Sequence, residues 1–135
     1  MLILGSPQTV SSATVPTYTT PVQQSADTIP EMSKETVVSL IEKYSDHFNV
    51  PTQLSKNIAF CESSYNPSIY GDSGRAYSVY QFHKPTFDLF AEEYGKEMDY
   101  ENVEHHIELA NWAFSKDYYY HWTCYKKVKS TTLTI

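Results

Sequence analysis

The fold is decided by the stretch from Asn57 to Phe90, which reads NIAFCESSYNPSIYGDSGRAYSVYQFHKPTFDLF. Its beginning predicts a helix that ends with Cys61 to Ser64, because the Asn-Pro pair that follows does not continue a helix. A Gly-rich turn holding Asp72 comes next, then a short aromatic run that carries Gln81, and then a second helix from Pro85. A carboxylate at a buried helix end, facing polar groups on a tight loop, is an arrangement typical of sugar-cleaving sites.

The composition narrows the class of protein. A chain of 135 residues suits one small domain with some extra length, and 41% hydrophobic residues are ample for its core. The 12 tyrosines predict a surface that stacks on ring-shaped ligands. The net charge of −6 argues against nucleic acid as a partner, since neutralising phosphates requires a basic face. Eight carboxylates and one lysine lie between Asp88 and Glu108, which predicts a solvated helical face.

Three regions follow from the distribution of residue types. Residues 1–32 are rich in Ser, Thr, Pro and Gln, so they are predicted to be a flexible tether or a trimmed export signal. Residues 33–128 are predicted to be the folded domain, and residues 129–135 a frayed tail. No stretch is long and apolar enough to cross a bilayer. A tether of this composition would join an exported domain to a membrane or to another module.

The periodicity of apolar residues predicts a mainly α domain with a small central loop or β-ribbon. Ser33 is the predicted N-cap of the first helix, and Thr52 that of the second. Gly95 is predicted to end the third helix. The four predicted helices cover Lys34 to about His47, Thr52 to about Ser64, Pro85 to Gly95, and about Tyr100 to Lys116.

Glu62 is the strongest candidate for chemistry. It shares the apolar side of its helix with Leu54 and Ile58, and burial there would raise the pKa of its carboxyl toward that of a useful acid. The alternative is a capping or salt-bridged glutamate. Asp72 follows ten residues later, across a turn that could fold back and supply a second carboxylate. Gln81 is expected to be either a structural bridge or a donor and acceptor for a ligand.

The two cysteines, taken alone, leave a choice between one bridge in an exported protein and two buried thiols. Cys61 as a nucleophile, with a histidine as base, is a second hypothesis, but no thiol-protease signature surrounds it. The candidate bases are His83, His106 and His121. No metal site is predicted, because the spacing of the remaining candidates matches no familiar zinc pattern. Those candidates are His105, His106, His121 and Cys124.

Three segments together carry a family resemblance: CESSYNP from Cys61, GDSGRAYSVYQF from Gly71, and KPTF from Lys84. They resemble the lysozyme-like fold of lytic transglycosylases, which is shared by the soluble lytic transglycosylase domain, goose-type lysozymes and resuscitation-promoting factors. The family pattern is a helix ending in Glu-Ser, a break, and then Gly-Ala-x-Gly-Leu-x-Gln before a Thr-containing helix start. The resemblance covers roughly residues 34 to 125.

The resemblance implies roles for particular residues. Glu62 becomes the catalytic acid, and Asp72 a second acid or a residue that positions water. Four residues are expected to bind substrate: Ser63, Tyr80, Gln81 and Tyr119. The resemblance implies no cofactor. The implied partner is the glycan strand of peptidoglycan, bound by a monomer that is exported to the extracellular space, the periplasm or the cell envelope.

The C-terminal part of the chain both matches and departs from the family. Trp122-Thr123-Cys124 resembles the resuscitation-promoting factors, which implies a disulfide between Cys61 and Cys124. Ser78 stands where the family has glycine, and its side chain is expected to crowd the cleft. The family's Tyr-Asn-x-Gly is absent from the C-terminal part, where one residue of the run Tyr118 to Tyr120 is expected to take its place.

The resulting prediction is a lytic transglycosylase that cleaves the β-1,4 bond between N-acetylmuramic acid and N-acetylglucosamine with a single glutamate. One alternative is a lysozyme-type hydrolase, such as a phage endolysin, that uses Glu62 together with Asp72. Another is a glycan-binding module without catalysis.

Overall fold

The computed structural model describes residues 31–133, so the tether predicted for residues 1–32 lies almost entirely outside the described residues and stays a prediction. The described part contains five α-helices and one small antiparallel sheet, which confirms the mainly α class. None of its helices has the length and apolar character that crossing a membrane requires.

The first helix, α1, spans Lys34–His47 as the sequence predicts. Ser33 is its N-cap, because the Ser33 side chain accepts a hydrogen bond from the backbone N–H of Thr36. Val37 and Ile41 lie on its buried face. This face packs against the second and fourth helices.

The second helix, α2, spans Thr52–Ser63 and carries the candidate acid near its end. The prediction that Thr52 caps this helix is wrong. Pro51 holds the N-cap position, and the Thr52 hydroxyl instead forms a 2.7 Å hydrogen bond with the hydroxyl of Ser45 on α1. The helix ends where Ser64 adopts a left-handed conformation, with φ of 55°.

The predicted central ribbon is a sheet of three two-residue strands: β1 Tyr70–Gly71, β2 Ala76–Tyr77 and β3 Phe82–His83. The strands pair antiparallel in chain order. Phe82 of β3 contacts the ring of Phe87 at 5.4 Å and that of Trp122 at 5.4 Å between centroids. These contacts hold the sheet against the helices that follow it.

The remaining helices are α3 Lys84–Tyr94, α4 Val103–Ser115 and α5 Thr123–Leu133. The predicted third and fourth helices are confirmed, and Gly95 ends α3 with φ of 79°. Residues 129–133, which the sequence assigns to a frayed tail, form the last turns of α5. The helix persists because Cys124 is bonded covalently to α2 and Val128 packs against the core.

The acidic run between Asp88 and Glu108 is solvated as predicted, except near its end. Glu108 is buried in α4 and receives hydrogen bonds from the Tyr94 hydroxyl and the Lys96 ammonium, both at 2.6 Å. A buried carboxylate needs such partners to offset its loss of hydration. This end of the run therefore joins α4 to the end of α3.

Candidate active site

A cleft of about 360 Å³ lies between the end of α2, the sheet and the start of α5. Three residues predicted for the site line it together: Glu62, Asp72 and Gln81. His83, His121 and Thr123 line it as well. The small sheet thus forms one wall of the cleft, and the last turn of α2 brings the glutamate to the other.

Glu62 is half-buried at the end of α2. Its burial raises the pKa of the carboxyl, because a carboxylate loses hydration there. Two groups of α5 act in the opposite direction: the backbone N–H of Cys124, which faces the carboxyl as a hydrogen-bond donor, and the ammonium of Lys127. Desolvation outweighs both, so Glu62 keeps its proton to a higher pH than an exposed glutamate.

Ser63 fixes the helix end that carries Glu62. Its hydroxyl donates to the carbonyl of Val79, 2.7 Å away in the loop between β2 and β3, and lies 3.1 Å from the carbonyl of Ala59 on the same helix. The residue is only 5% exposed. Ser63 was expected to bind substrate, but these contacts make it a strut between α2 and the loop.

Gln81 joins the cleft wall to the backbone beneath it. Its Nε2 donates to the carbonyls of Ile69 and Ser78, at 3.1 and 2.8 Å. Its Oε1 lies against Gly71, where an added Cβ would come within 2.3 Å of that oxygen. Gly71 is therefore required for close approach, and Gln81 is both a structural bridge and a residue of the cleft.

Tyr80 was also expected to bind substrate, but the structure places it in the core. Its ring has no exposed surface, and its hydroxyl forms a 2.7 Å hydrogen bond with Ser55 of α2. Ser55 in turn donates to Asn111 of α4 at 2.7 Å. The Tyr80 carbonyl accepts a hydrogen bond from the indole of Trp122. Tyr80 thus anchors the loop that presents Gln81 rather than facing the cleft.

Asp72 lines the cleft with both carboxylate oxygens already engaged. Oδ1 lies 3.0 Å from Nη2 of Arg75, and Oδ2 lies 3.0 Å from Nε2 of His83. The turn that holds Asp72 is left-handed, with φ of 52° at Asp72 and 57° at Ser73. The structure therefore brings Asp72 into the cleft with Glu62 and also ties it to its own turn and to β3.

Comparison with known proteins identifies this architecture. The family model of the transglycosylase SLT domain matches residues 39–124, which include every residue placed in the cleft. The chain belongs to the transglycosylase SLT domain family. No curated protein and no solved structure matches it. The family match supports an enzyme of the peptidoglycan lytic transglycosylase class with a lysozyme-like fold.

The SLT domain holds a disulfide between Cys61 and Cys124, as the resemblance implied. Their Cα atoms lie 5.9 Å apart. Because neither cysteine is free, the hypothesis of a thiol nucleophile is wrong. The bridge also removes Cys124 from the set of metal candidates considered above. Cys61 itself is exposed, whereas Cys124 is buried.

The C-terminal tyrosines of the SLT domain lie outside the residues that line the cleft. Tyr119 is stacked between the rings of Phe114 and Tyr125, at 4.8 and 4.5 Å between centroids. Its burial raises the pKa of its phenol to about 12. His121, which the sequence offered as a base for a thiol and as a metal candidate, lines the cleft together with Trp122 and Thr123.

His83 and Thr123 line the cleft, but the sequence did not predict either of them as part of this site. His83 lies two residues after Gln81 on β3, and Thr123 precedes the bridged cysteine. An antiparallel pairing of β2 with β3 would have placed His83 opposite Ala76 and so near Asp72. The sequence holds that signal, but strands of two residues are too short to be assigned from periodicity.

Ser78, where the family has glycine, departs from the expectation that it crowds the cleft. It is fully buried with φ of 75°, and its hydroxyl has no hydrogen-bond partner among the described residues. Serine at this position therefore lowers the stability of the fold, through backbone strain and an unpaired hydroxyl, and does not reduce the space for substrate.

We expect Ser78→Gly to stabilise the SLT domain by about 1 kcal/mol. Glycine adopts the left-handed conformation without strain and leaves no buried hydroxyl unpaired, and both changes stabilise the folded state. Together they exceed the conformational entropy that glycine adds to the unfolded chain. Thermal unfolding should shift upward by about 5 °C. Ser73→Gly is the matched control, since Ser73 is exposed with φ of 57° and tests the backbone contribution alone. A melting temperature of Ser78→Gly at or below that of Ser73→Gly would contradict the role given to the hydroxyl.

Proposed function

We propose that this SLT domain is a lytic transglycosylase that cleaves the β-1,4 bond between N-acetylmuramic acid and N-acetylglucosamine with Glu62 as its single catalytic acid and base. One observation carries the proposal. Glu62 is the carboxyl of the cleft whose pKa is raised by burial, whereas the Asp72 carboxylate in the same cleft is already paired with Arg75 and contacts the imidazole of His83. Of these two carboxyls, Glu62 is the one whose environment favours the protonated acid.

Glu62 would act twice in the reaction. Its carboxyl first gives a proton to the oxygen that links the two sugars, and the bond from that oxygen to C1 of the muramoyl residue breaks. The acetamido group of that residue stabilises the positive charge at C1. The Glu62 carboxylate then takes the proton of the sugar's own 6-hydroxyl, whose oxygen bonds to C1. The products are a 1,6-anhydro end and a free 4-hydroxyl, and Glu62 is again protonated.

Three features support the positioning of this single residue. The Ser63 hydroxyl braces the helix end against the loop at Val79. Gln81 lines the cleft and its side chain is fixed by two backbone carbonyls, so its orientation is set before a sugar binds. Thr123 at the start of α5 lines the same cleft.

A lysozyme-type hydrolase is the second candidate, favoured by the position of Asp72 in the same cleft as Glu62. If the Asp72 carboxylate exchanged one of its two contacts for a water molecule, that water would attack C1 in place of the 6-hydroxyl. The product would then carry a reducing end. The ion pair with Arg75 and the contact with His83 disfavour this exchange.

The products released from purified peptidoglycan test the proposal. We expect soluble muropeptides that end in 1,6-anhydro-muramic acid, which are lighter than hydrolysis products by one water and resist reduction by borohydride. Mass spectrometry before and after borohydride treatment measures both properties. Reducible ends would instead establish the hydrolase. Retention of the protein on peptidoglycan without release of muropeptides would establish a non-catalytic glycan-binding module.

We also propose that the domain acts as a monomer outside the cytoplasm, in the cell envelope or beyond it. A disulfide persists in oxidising compartments and is rare in the cytosol, so the Cys61–Cys124 bridge supports export. The substrate class of the family lies in the same place.

A further inference from the structure

The Glu62 carboxyl is one member of a ring of contacts that joins the end of α2 to the start of α5. Cys61, the residue before it, is bonded through sulfur to Cys124. The backbone N–H of Cys124 in turn faces the Glu62 carboxyl as a hydrogen-bond donor. A single disulfide therefore links the residue before Glu62 to the residue whose N–H faces the Glu62 carboxyl.

Both sides of this ring are anchored elsewhere. On the α2 side, the Ser63 hydroxyl is hydrogen-bonded to the Val79 carbonyl. On the α5 side, the buried indole of Trp122 donates to the Tyr80 carbonyl at 2.9 Å. These two hydrogen bonds reach the same loop, at adjacent residues. The disulfide adds a covalent link between the end of α2 and the start of α5, two helices that also pack against each other.

Resting on the proposed role of Glu62, we propose that the Cys61–Cys124 disulfide is a positioning device for catalysis. In this role the bridge holds the backbone N–H of Cys124 against the Glu62 carboxyl, and Cys124 is a positioning residue. The bridge then acts on the rate of the reaction as well as on the stability of the fold.

Opening the bridge has two consequences that can be measured. The start of α5 is then held to α2 by packing alone, so the Cys124 N–H is less tightly fixed against the Glu62 carboxyl. The Glu62 side chain therefore samples orientations in which its proton misses the glycosidic oxygen, and the rate falls. The hydrogen bond from Cys124 also weakens. Because this bond lowers the pKa of Glu62, its loss raises that pKa further. Activity that needs the protonated carboxyl is then retained to higher pH.

The other charged and titratable groups around the carboxyl remain when the bridge is opened. These are Lys127 on α5, Asp72 and His83 at the sheet, and His121 ahead of α5. A shift of the alkaline side of the pH profile therefore reports on the two groups of α5 that face the carboxyl, first the N–H of Cys124 and then Lys127. A variant that is merely less stable has no reason to show such a shift.

The experiment compares wild type, the double variant Cys61→Ser with Cys124→Ser, and Ile41→Ala, all at a temperature at which each is folded. Ile41 is buried in α1 and is not among the residues that line the cleft, so its truncation lowers stability alone. We expect the double variant to lose about tenfold in kcat with little change in KM, and its kcat/KM to decline at a higher pH than that of wild type. Ile41→Ala should keep the wild-type profile.

An unchanged rate and pH profile in the folded double variant would overturn the inference. If that variant does not fold, wild type is titrated with dithiothreitol, which reduces the bridge to two thiols and leaves as its own cyclic disulfide. Activity must then fall before the helical circular dichroism signal does, and simultaneous loss overturns the inference as well. Glu62→Gln separates the two proposals: if that variant is active, the proposed function fails, whereas an inactive Glu62→Gln beside an unaffected double variant rejects only the positioning role.

Discussion

Glu62→Gln is expected to lower the release of muropeptides from purified peptidoglycan by about a thousandfold or more. General acid and base steps each contribute up to about four orders of magnitude, and Glu62 is proposed to supply both. The amide of glutamine fills the same space, but it is too weak an acid to protonate a glycosidic oxygen and too weak a base to deprotonate the 6-hydroxyl. Turbidity clearing and the yield of soluble muropeptides measure the loss.

The same variant should stay folded, with a melting temperature equal to or above that of wild type. The direction follows from burial, which raises the pKa of Glu62 and so makes the ionised carboxylate unfavourable in the folded state at neutral pH. Glutamine is neutral and removes that cost. A lower melting temperature would indicate that the carboxylate stabilises the fold, and the loss of activity would then need another explanation.

Two further variants make the Glu62 result specific. Glu92→Gln introduces the same chemical change at an exposed position of α3 and should keep full activity. Asp72→Asn should keep most of its activity if Glu62 acts alone, because Asp72 then only ties its turn to Arg75 and His83. A loss at Asp72 as large as that at Glu62 would reject the single-glutamate mechanism in favour of the hydrolase.

The position of Glu62 was predictable because several local signals agree on it. The apolar positions Leu54 and Ile58 set the buried side of α2, and the break after Ser64 places the glutamate at the helix end. The glycines of the following turn and the proline at the start of α3 fix the length of the loop between the two helices. Local sequence patterns predict a position well where helix periodicity, helix breaks and turn residues all indicate the same structure.

The partners of the site residues were not predictable in this way. Tyr80 and Gln81 are adjacent, yet the first is in the core and the second lines the cleft. The reason is a left-handed backbone conformation at Gln81, with φ of 56°. The residue types at and around this position do not predict that conformation. The extent of α5 was missed for a different reason, since its stability comes from the bridge and from packing rather than from its own helix propensity.

The second large expected effect is a loss of stability in acid caused by His106. This residue is fully buried in α4, and its Nε2 lies 2.6 Å from the carbonyl of Tyr100. A carbonyl oxygen only accepts, so Nε2 carries the proton. Nδ1 is then a bare acceptor, and it has no hydrogen-bond partner among the described residues. A second proton on this ring would be a buried charge, and burial outweighs the favourable effect of the Asp99 carboxylate on it.

Burial accordingly lowers the pKa of His106 to about 4. An unfolded chain binds the same proton near pH 6.5. Between these two values the unfolded state holds one more proton than the folded state, so the free energy of unfolding falls as the pH is lowered. The contribution of His106 is complete above pH 6.5 and is lost progressively down to pH 4. The difference in pKa corresponds to about 3 kcal/mol over that range.

Urea unfolding of wild type, His106→Gln and His47→Gln between pH 7 and pH 4 measures this contribution. Glutamine at position 106 can still donate to Tyr100 but does not titrate, so that variant starts less stable at pH 7 and loses about 3 kcal/mol less on acidification.

His47→Gln removes an exposed imidazole from the end of α1 and should follow the wild-type curve. Parallel curves for wild type and His106→Gln would mean that the buried ring is protonated without penalty, which a ring packed against Phe82, Phe87 and Tyr100 does not allow. Because Phe82 also lines the cleft, acid unfolding at this ring should remove activity at low pH even though Glu62 remains protonated there.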